Sequence, residues 1–484
     1  MLNKILENLK QNPNYICYQI KDKTYTNQDL YKYVCNIYTF LVKEKNCKKQ
    51  EKVLVYGHKE IYMIASFLAC AFAGLTYVPV DITTPDIRKK KIIEQVNPKI
   101  IVDNGIENIM YRDNYIEISK IDMKDEDVFY IIFTSGSTGE PKGVQITYSN
   151  LKSCTKWLKD ICNIENTVIL NQANFSFDLS VADIYLSLLT KSKHYIIERN
   201  TQKNFKLLFQ ELQKSNATFA VFTPSFADLL LVDKNFNKSL MPNLQKILFC
   251  GEKLTKNTVD KLYSRFKNIK IINSYGPTEC TFAVTSTEIK SNEEDISIGK
   301  PKQDVCIYVV DENLQELKES EIGEILIFGK SVGKGYLNPS LNKNHFINFK
   351  NEKTYRTGDL GYKKDGKFYC IGRKDKQIKY NGYRIELSEI EKAFYTIEYI
   401  EKVIVTTTKN DEGKINKIIA FVKEKENYEI SKQDLKREIS KTLPEYMIPK
   451  IKIVKTIPIN ENGKIDERAL LEELNERKNN KNDN

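Results

Sequence analysis

Short apolar runs alternate with amphipathic segments through about the first 370 residues, and this alternation restricts the fold more than any other feature. The runs are KVLVYG (52–57), YVPVD (77–81), KIIVD (99–103), FYIIF (129–133), TVILNQ (167–172), HYIIE (194–198), TFAVFTP (218–224), KILFCG (246–251) and KIINSYG (270–276). Helical patterns such as KLLFQELQKS (206–215) and TVDKLYSRF (258–266) lie between them. Short apolar strands separated by helices favour an α/β fold with mostly parallel sheets. Several runs end in glycine, and ligands of open α/β sheets gather at such carboxyl ends.

At 484 residues the chain exceeds what one core usually spans, so two or more domains are expected. The character changes after Gly372. QIKYNGYRIEL (377–387) reads as two strands around Asn-Gly, a strong hairpin signal. Ser388 with Glu391 forms a capping-box pattern ahead of a helix. Strands are expected at KVIVTTT (402–408) and KIIAFVK (417–423), with a turn at 411–413, and Ser431 with Asp434 opens another helix. This is a small C-terminal α+β domain.

One stretch imitates a membrane span: residues 61–80, IYMIASFLACAFAGLTYVPV, carry no charge. Gly74 can end a helix, and TYVPV has strand character, so a buried helix followed by a buried strand is the expectation. The start, MLNKILENLKQNPNY, has polar residues inside its apolar pattern and reads as an amphipathic helix, not a signal peptide. No membrane insertion is expected. The balance of 75 Lys+Arg against 64 Asp+Glu gives +11. That surplus fits either an acidic partner or a Lys-rich surface bias; the charges are interleaved and no nucleic-acid motif accompanies them. The ten cysteines contain no C-x-x-C pair, which fits reduced thiols in a cytoplasmic protein. His58, His194 and His345 are far apart, so no histidine metal site is expected.

TSGSTGEPKG (134–143) follows an apolar strand. Glycines admit close backbone approach, and amides plus hydroxyls supply donors, so the loop suits a phosphate; a plain turn uses the same residues. It is not a Walker A loop, because Pro141 precedes Lys142 and Gly143 follows it. NSYGPTE (273–279) offers an aromatic that could stack on a purine and a carboxylate, Glu279, suited to Mg²⁺. YRTGDL (355–360) presents Asp359 on a glycine turn, GRKD (372–375) presents Arg373, and NGKID (462–466) presents Lys464. Taken singly, each also fits a solvated turn.

The ordered set AFAGLTYVPVD, TSGSTGEPKG, NFSFDLS, NSYGPTE, YRTGDL, GRKDKQIKYNGYRIEL and NGKID resembles the adenylate-forming enzymes, which include amino-acid-activating domains, acyl-CoA synthetases and luciferases. The resemblance spans nearly the whole chain. It implies a large N-terminal α/β domain, residues 1–374, and a small mobile C-terminal α+β domain, 376–484, with a hinge near Asp375. The amino-acid-activating branch fits best: FDLS supplies Asp178, a carboxylate suited to a substrate ammonium, which a simple fatty acid would not need. FSFDLSVADIYLSLL, TPSFADLLL, MPNLQKILFCGEKL and YGPTE look most like the group that loads D-alanine for esterification onto teichoic acids. The chain stops soon after NGKID, so an acidic, phosphopantetheinylated D-alanyl carrier protein is expected in trans.

The resemblance assigns roles residue by residue. Thr134, Ser135, Gly136, Ser137, Thr138 and Gly139 wrap the β- and γ-phosphates of ATP, with Lys142 as a flexible charge. Asn273, Ser274, Tyr275, Gly276, Pro277 and Thr278 line the adenine and α-phosphate side, and Glu279 holds Mg²⁺. Asp359 binds ribose, helped by Cys370, Ile371, Gly372 and Arg373. Asp178 takes the substrate amine, and Leu179, Ala182, Cys250, Ser274, Phe282 and Ala283 shape the pocket around a small side chain. Phe282 stands where this group is expected to carry a smaller aliphatic residue. Lys464 is the catalytic residue, bridging the substrate carboxylate and the α-phosphate. Chirality enters only through the resemblance. The rival readings are a free-standing enzyme activating L-alanine, glycine or serine for a peptide natural product, an acyl-CoA synthetase, and a nucleotide-binding scaffold without activity.

Overall fold

The computed structural model describes residues 1–484 apart from 137–138, 427, 430, 459–465, 468 and 473–484. The chain divides into two compact units. The larger comprises Met1–Ile82, Ile92–Thr134 and Lys142–Asp375; the smaller comprises Thr83–Lys91, Ser135–Pro141 and Lys376–Asn484.

Each apolar run of the larger unit becomes a strand. The nine-stranded sheet runs parallel from Lys270–Tyr275 through Lys246–Phe249, Phe219–Phe222, Val168–Asn171 and Lys193–Ile196 to Ile16–Ile20, with antiparallel strands at both edges. Phe219–Phe222 is buried at all four positions, as a strand covered on both faces requires. A six-stranded sheet places Ile100–Val102, Lys52–Gly57, Thr76–Asp81 and Val128–Thr134 in parallel, then adds Lys142–Thr147 and Gly335–Tyr336 antiparallel. A five-stranded antiparallel sheet carries Glu352–Lys364 and Lys367–Arg373.

The uncharged stretch resolves as expected. Ile61–Phe72 is a helix with every residue buried, and Thr76–Asp81 is a strand inside the sheet. Pro79 is tolerated there because the ladder toward Val128–Thr134 is registered only at Tyr77 with Tyr130. Among the described residues no helix is long and apolar enough to cross a membrane.

The two parallel-stranded sheets share one buried cation. Lys59, 1% exposed, follows strand Lys52–Gly57, and its Nζ donates to the carbonyls of Gln172 and Ile197, both at 2.8 Å. Those carbonyls follow strands Val168–Asn171 and Lys193–Ile196 of the other sheet. Burial pulls the Lys59 pKa down to about 7, against the opposing pull of Asp183, Asp81 and Glu198. A neutral amine has two N–H donors, enough for both carbonyls.

The smaller unit contains the hairpin Gln377–Tyr380 with Tyr383–Glu386, the helix Leu387–Tyr395, and a three-stranded sheet of Ile400–Lys409, Ile415–Glu424 and Lys450–Ile453. Ser431 caps the helix Lys432–Ile439 by accepting from the Asp434 amide. The expected capping box at Ser388 does not form. The helix begins two residues earlier, with Glu386 at its cap position, and Glu391 accepts instead from the Val405 amide of the adjoining strand. A tertiary contact thus overrides the local pattern.

The buried Lys59 has a thermodynamic consequence. Its folded pKa lies below its unfolded value near 10.4, so between pH 7 and 10 the unfolded chain binds the extra proton and stability rises with pH. Urea unfolding at pH 7 and pH 9 should show a Lys59-dependent gain of about 2 kcal/mol. Lys59→Met should lower stability overall and remove that part of the pH slope; an identical slope in the variant refutes the depressed pKa.

Candidate functional site

The expected site residues fall into four groups, each built by a different part of the chain. The first surrounds Asp359. YRTGDL lies within strand Glu352–Lys364, which pairs Asp359 with Arg373 of the next strand. Asp359 is 2% exposed. Its Oδ2 accepts from the Tyr275 hydroxyl at 2.6 Å and its Oδ1 from Arg373 Nη1 at 2.7 Å. Burial, and then the Asp359 charge, raises the Tyr275 pKa well above the usual phenol value. Arg373 also grips both oxygens of Asp375 at 2.7 Å each. Gly358, at φ +70°, makes the arrangement possible: a Cβ there would come within 2.7 Å of Arg373 Nη2. Glu324 braces the same turn. Burial alone would raise its pKa, but Arg356 and Lys374, both at 2.6 Å, lower it overall. Ile371 is 48% exposed beside this cluster, and Cys370 and Gly372 lie on the same strand.

The second group centres on Glu279, in a short 3₁₀ turn after strand Lys270–Tyr275. It is fully buried, its Oε1 accepts from the Tyr336 hydroxyl at 2.6 Å, and its carbonyl accepts from the Gly333 amide at 2.8 Å. The Lys142 ammonium stands 5.8 Å from the centre of the Tyr336 ring. Lys142 was expected to be a flexible charge; it is instead 2% exposed on the first residue of a strand, in register with Thr134. Pairing and burial fix it. Tyr336 is the member sequence reasoning missed, although the glycine-spaced SVGKGYL (331–337) was available as a signal.

Among the described residues no set of three or more His, Cys, Asp or Glu gathers around a metal position. His58 and His194 instead lie against Asp81 and Asp183. Glu279 alone suits an oxygen-preferring cation that keeps waters and takes its other ligands from phosphates, which is the habit of Mg²⁺.

The third group is the candidate amino-acid pocket. Leu179, Ala182, Cys250, Phe282 and Ala283 belong to one apolar cluster with Cys154 and Leu186. Asp178, half-buried, precedes the helix Leu179–Leu189 and makes no side-chain cap bond to it. Its charge reaches this cluster: burial pushes the Cys154 thiol up to about 12, and Asp178 adds a smaller contribution in the same direction. Thr281 and Phe282 have φ of +60° and +79°, unusual for a β-branched and a bulky residue. Thr281 is held by its hydroxyl on the Ser331 carbonyl at 2.9 Å, and the Cys250 thiol lies 4.0 Å from the Phe282 carbonyl. Gly276 permits this bend, since a Cβ there would meet the Ala283 Cα at 2.6 Å.

The strand leading in is tied down by its polar side chains. Asn273 Nδ2 donates to the Ser297 carbonyl at 2.8 Å, and Ser274 Oγ to the Phe249 carbonyl at 2.7 Å. Pro277 and Thr278 form the corner that follows.

The fourth group is the glycine-rich loop, which connects antiparallel strands Val128–Thr134 and Lys142–Thr147. The Thr134 hydroxyl is buried with no partner among the described residues. Gly139, at φ +81°, donates its amide to the Gly136 carbonyl at 2.9 Å. In the smaller unit, Ser135 Oγ donates to the Arg384 carbonyl at 2.7 Å and the Gly136 amide to Glu389 at 3.1 Å. Ser137, Thr138 and Lys464 lie outside the described residues.

Comparison with known proteins places this arrangement. Residues 5–337 match the family model for AMP-binding enzyme, and 389–464 match that for AMP-binding enzyme C-terminal domain. A D-alanine--D-alanyl carrier protein ligase of Listeria monocytogenes serotype 4b is 37% identical, covering 98% of this chain and all of the relative. One from Bacillus velezensis is 41% identical, covering 87% of this chain and 89% of the relative. Among solved structures, the Vibrio cholerae adenylation domain AlmE superposes with a TM-score of 0.86 at 22% identity, covering 98% of this chain and 97% of that one. A double mutant of the o-succinylbenzoate CoA synthetase of Bacillus subtilis superposes at 0.83 and 20% identity, covering 96% and 97%. The structural likeness carries the fold, and the sequence matches carry the kinship: the chain belongs to the AMP-binding enzyme family and groups within it with the D-alanine--D-alanyl carrier protein ligases.

Proposed function

We propose that this chain activates D-alanine with ATP to D-alanyl-AMP, releases pyrophosphate, and transfers the D-alanyl group to the phosphopantetheine thiol of a carrier protein, for D-alanylation of teichoic acids. The observation that carries the reading is the identity, sustained over essentially the full length of both chains, to ligases of that name. The half-buried Asp178 beside a small apolar cluster supports it, because a carboxylate there pairs with the ammonium of an amino acid and the cluster bounds the side chain. Reduced thiols throughout support a cytoplasmic setting, and the +11 balance suits an acidic carrier acting in trans.

The chemistry is attack by the amino-acid carboxylate on the α-phosphorus of ATP. Two anions must meet, so catalysis rests on positioning and charge. The loop from Thr134 to Lys142 cradles the terminal phosphates, offering the Thr134 hydroxyl, the backbone amides and the fixed Lys142 ammonium. Glu279, oriented by Tyr336, would hold Mg²⁺, which would supply positive charge to offset that of the phosphates. Asp359, oriented by Tyr275 and Arg373, accepts from the ribose hydroxyls. Lys464 bridges the substrate carboxylate and the α-phosphate oxygens as charge builds there. The thiol then attacks the acyl carbon, forming the thioester as AMP leaves. Between the two steps residues 376–484 turn about Asp375.

Three outcomes follow. ATP–pyrophosphate exchange across D-alanine, L-alanine, glycine and L-serine should favour D-alanine. Glycine should be the strongest competitor, since one methyl discriminates by only about 1–3 kcal/mol; preference for L-serine or L-alanine moves the reading to the natural-product class. Lys464→Ala should cut exchange by about 10²–10³, and a folded variant with normal exchange removes Lys464 from the reaction. Asp375→Pro should retain adenylation and lose thioester formation. Asp375→Ala, which drops the carboxylate on Arg373 but leaves the backbone free, controls for the lost clamp.

A further inference from the structure

Glu389 occupies a position made for an anion. It is 3% exposed, in the first turn of helix Leu387–Tyr395. Its Oε2 accepts from the Gly136 amide at 3.1 Å, and its Oε1 is bound by Nη1 of Arg88, itself 7% exposed. All three residues belong to the smaller unit. Lys392, one turn along the helix, lies against Gly139: a Cβ on that glycine would sit 3.2 Å from the lysine side chain. A carboxylate and a phosphate make the same demand on such a site, namely two oxygens facing an amide and a guanidinium fork. A buried Arg–Glu pair gains little net stability over an apolar pair, while either charge left alone is strongly unfavourable. A buried guanidinium beside a loop amide therefore calls for an anion, and a phosphate meets that requirement as well as Glu389 does.

We propose that Arg88 and the Gly136 amide form an anion subsite for the terminal phosphates of ATP and for pyrophosphate, and that the Glu389 carboxylate is their competitor for it. The inference deepens the reading of the glycine-rich loop as a phosphate cradle and rests on it. Arg88 is a phosphate-binding residue outside every motif that marks the loop. Glu389 is the group that fills the subsite once pyrophosphate has gone, opposing rebinding of the product.

The test is calorimetric titration of the full-length protein with magnesium pyrophosphate. Charge-assisted contacts of this kind correspond to about ten- to a hundredfold in affinity. Glu389→Gln should bind pyrophosphate tighter by that factor and Arg88→Met weaker by a similar one. Glu389→Gln placed on Arg88→Met should bring no gain. A non-hydrolysable D-alanyl-adenylate analogue, which lacks terminal phosphates, should bind all three variants as it binds the parent. Arg88→Lys, keeping the charge without the fork, should fall between parent and Arg88→Met and serves if the methionine variant does not fold. Unchanged pyrophosphate affinity in the folded single variants overturns the proposal. So does a Glu389→Gln gain that survives loss of Arg88, or an equal loss of analogue binding, which marks a merely structural pair. A parent protein that binds pyrophosphate with this pattern but activates no alanine removes the proposed substrate and leaves the subsite. Normal D-alanine activation with no pyrophosphate effect at Arg88 does the reverse.

Discussion

The carboxylate of Asp359 is the joint on which the larger unit's site depends. Its two oxygens engage different sheets: Tyr275 reaches it from the end of a parallel strand, and Arg373 from the neighbouring antiparallel strand. Removing either partner of a buried charge pair generally costs about 3–5 kcal/mol, because the other charge is stranded. The position is thus fixed by more than one contact, as its proposed role in holding ribose in one orientation requires. Arg373 extends the joint to Asp375, the last residue of the larger unit. Backbone conformation makes room for it, since only glycine at 358 leaves the guanidinium its place.

The pocket cluster obeys a different logic, in which shape is set by backbone strain and apolar packing. Phe282 stands where a smaller aliphatic residue was expected. Its left-handed backbone gives that residue an unusual exit from the bend, and the strain is held by Thr281 on Ser331 and by the tight approach of Gly276 to Ala283. Side-chain volume read from sequence presumes an ordinary backbone. At this corner the backbone is not ordinary, so residue size alone is a poor measure of the space left.

What the sequence made legible follows from period and local chemistry. Each of the nine apolar runs became a strand, because continuous burial in a parallel sheet leaves an unbroken apolar signature. The hairpin around Asn381-Gly382 and the Ser431 cap were legible because both are local interactions. The capping box at Ser388 failed because Glu391 found a partner fourteen residues away in the fold of the smaller unit. Lys142 was misjudged for a related reason: the resemblance implied a flexible charge, while its pairing with Thr134 and the adjacent Tyr336 ring confine it. Lys59 and Arg88 were not legible at all, and for Tyr336 the glycine-spaced SVGKGYL (331–337) was the one local signal. Their partners lie 57, 113, 138 and 301 residues away, and no local pattern specifies such contacts.

The buried cations outside the motifs share a property that motifs cannot express. Lys59 and Arg88 are both almost fully enclosed, yet their environments are opposite in kind. Lys59 faces two carbonyls, which a neutral amine satisfies, and burial lowers its pKa to about 7 accordingly. Arg88 faces a full carboxylate, and a guanidinium does not shed its proton in proteins, so its charge must always be matched by an anion. The first is therefore a structural tie whose protonation can vary without loss of partners. The second is a fixed charge whose partner can vary. That difference in side-chain chemistry, and not burial itself, separates a residue that joins two sheets from one able to exchange a protein carboxylate for a phosphate.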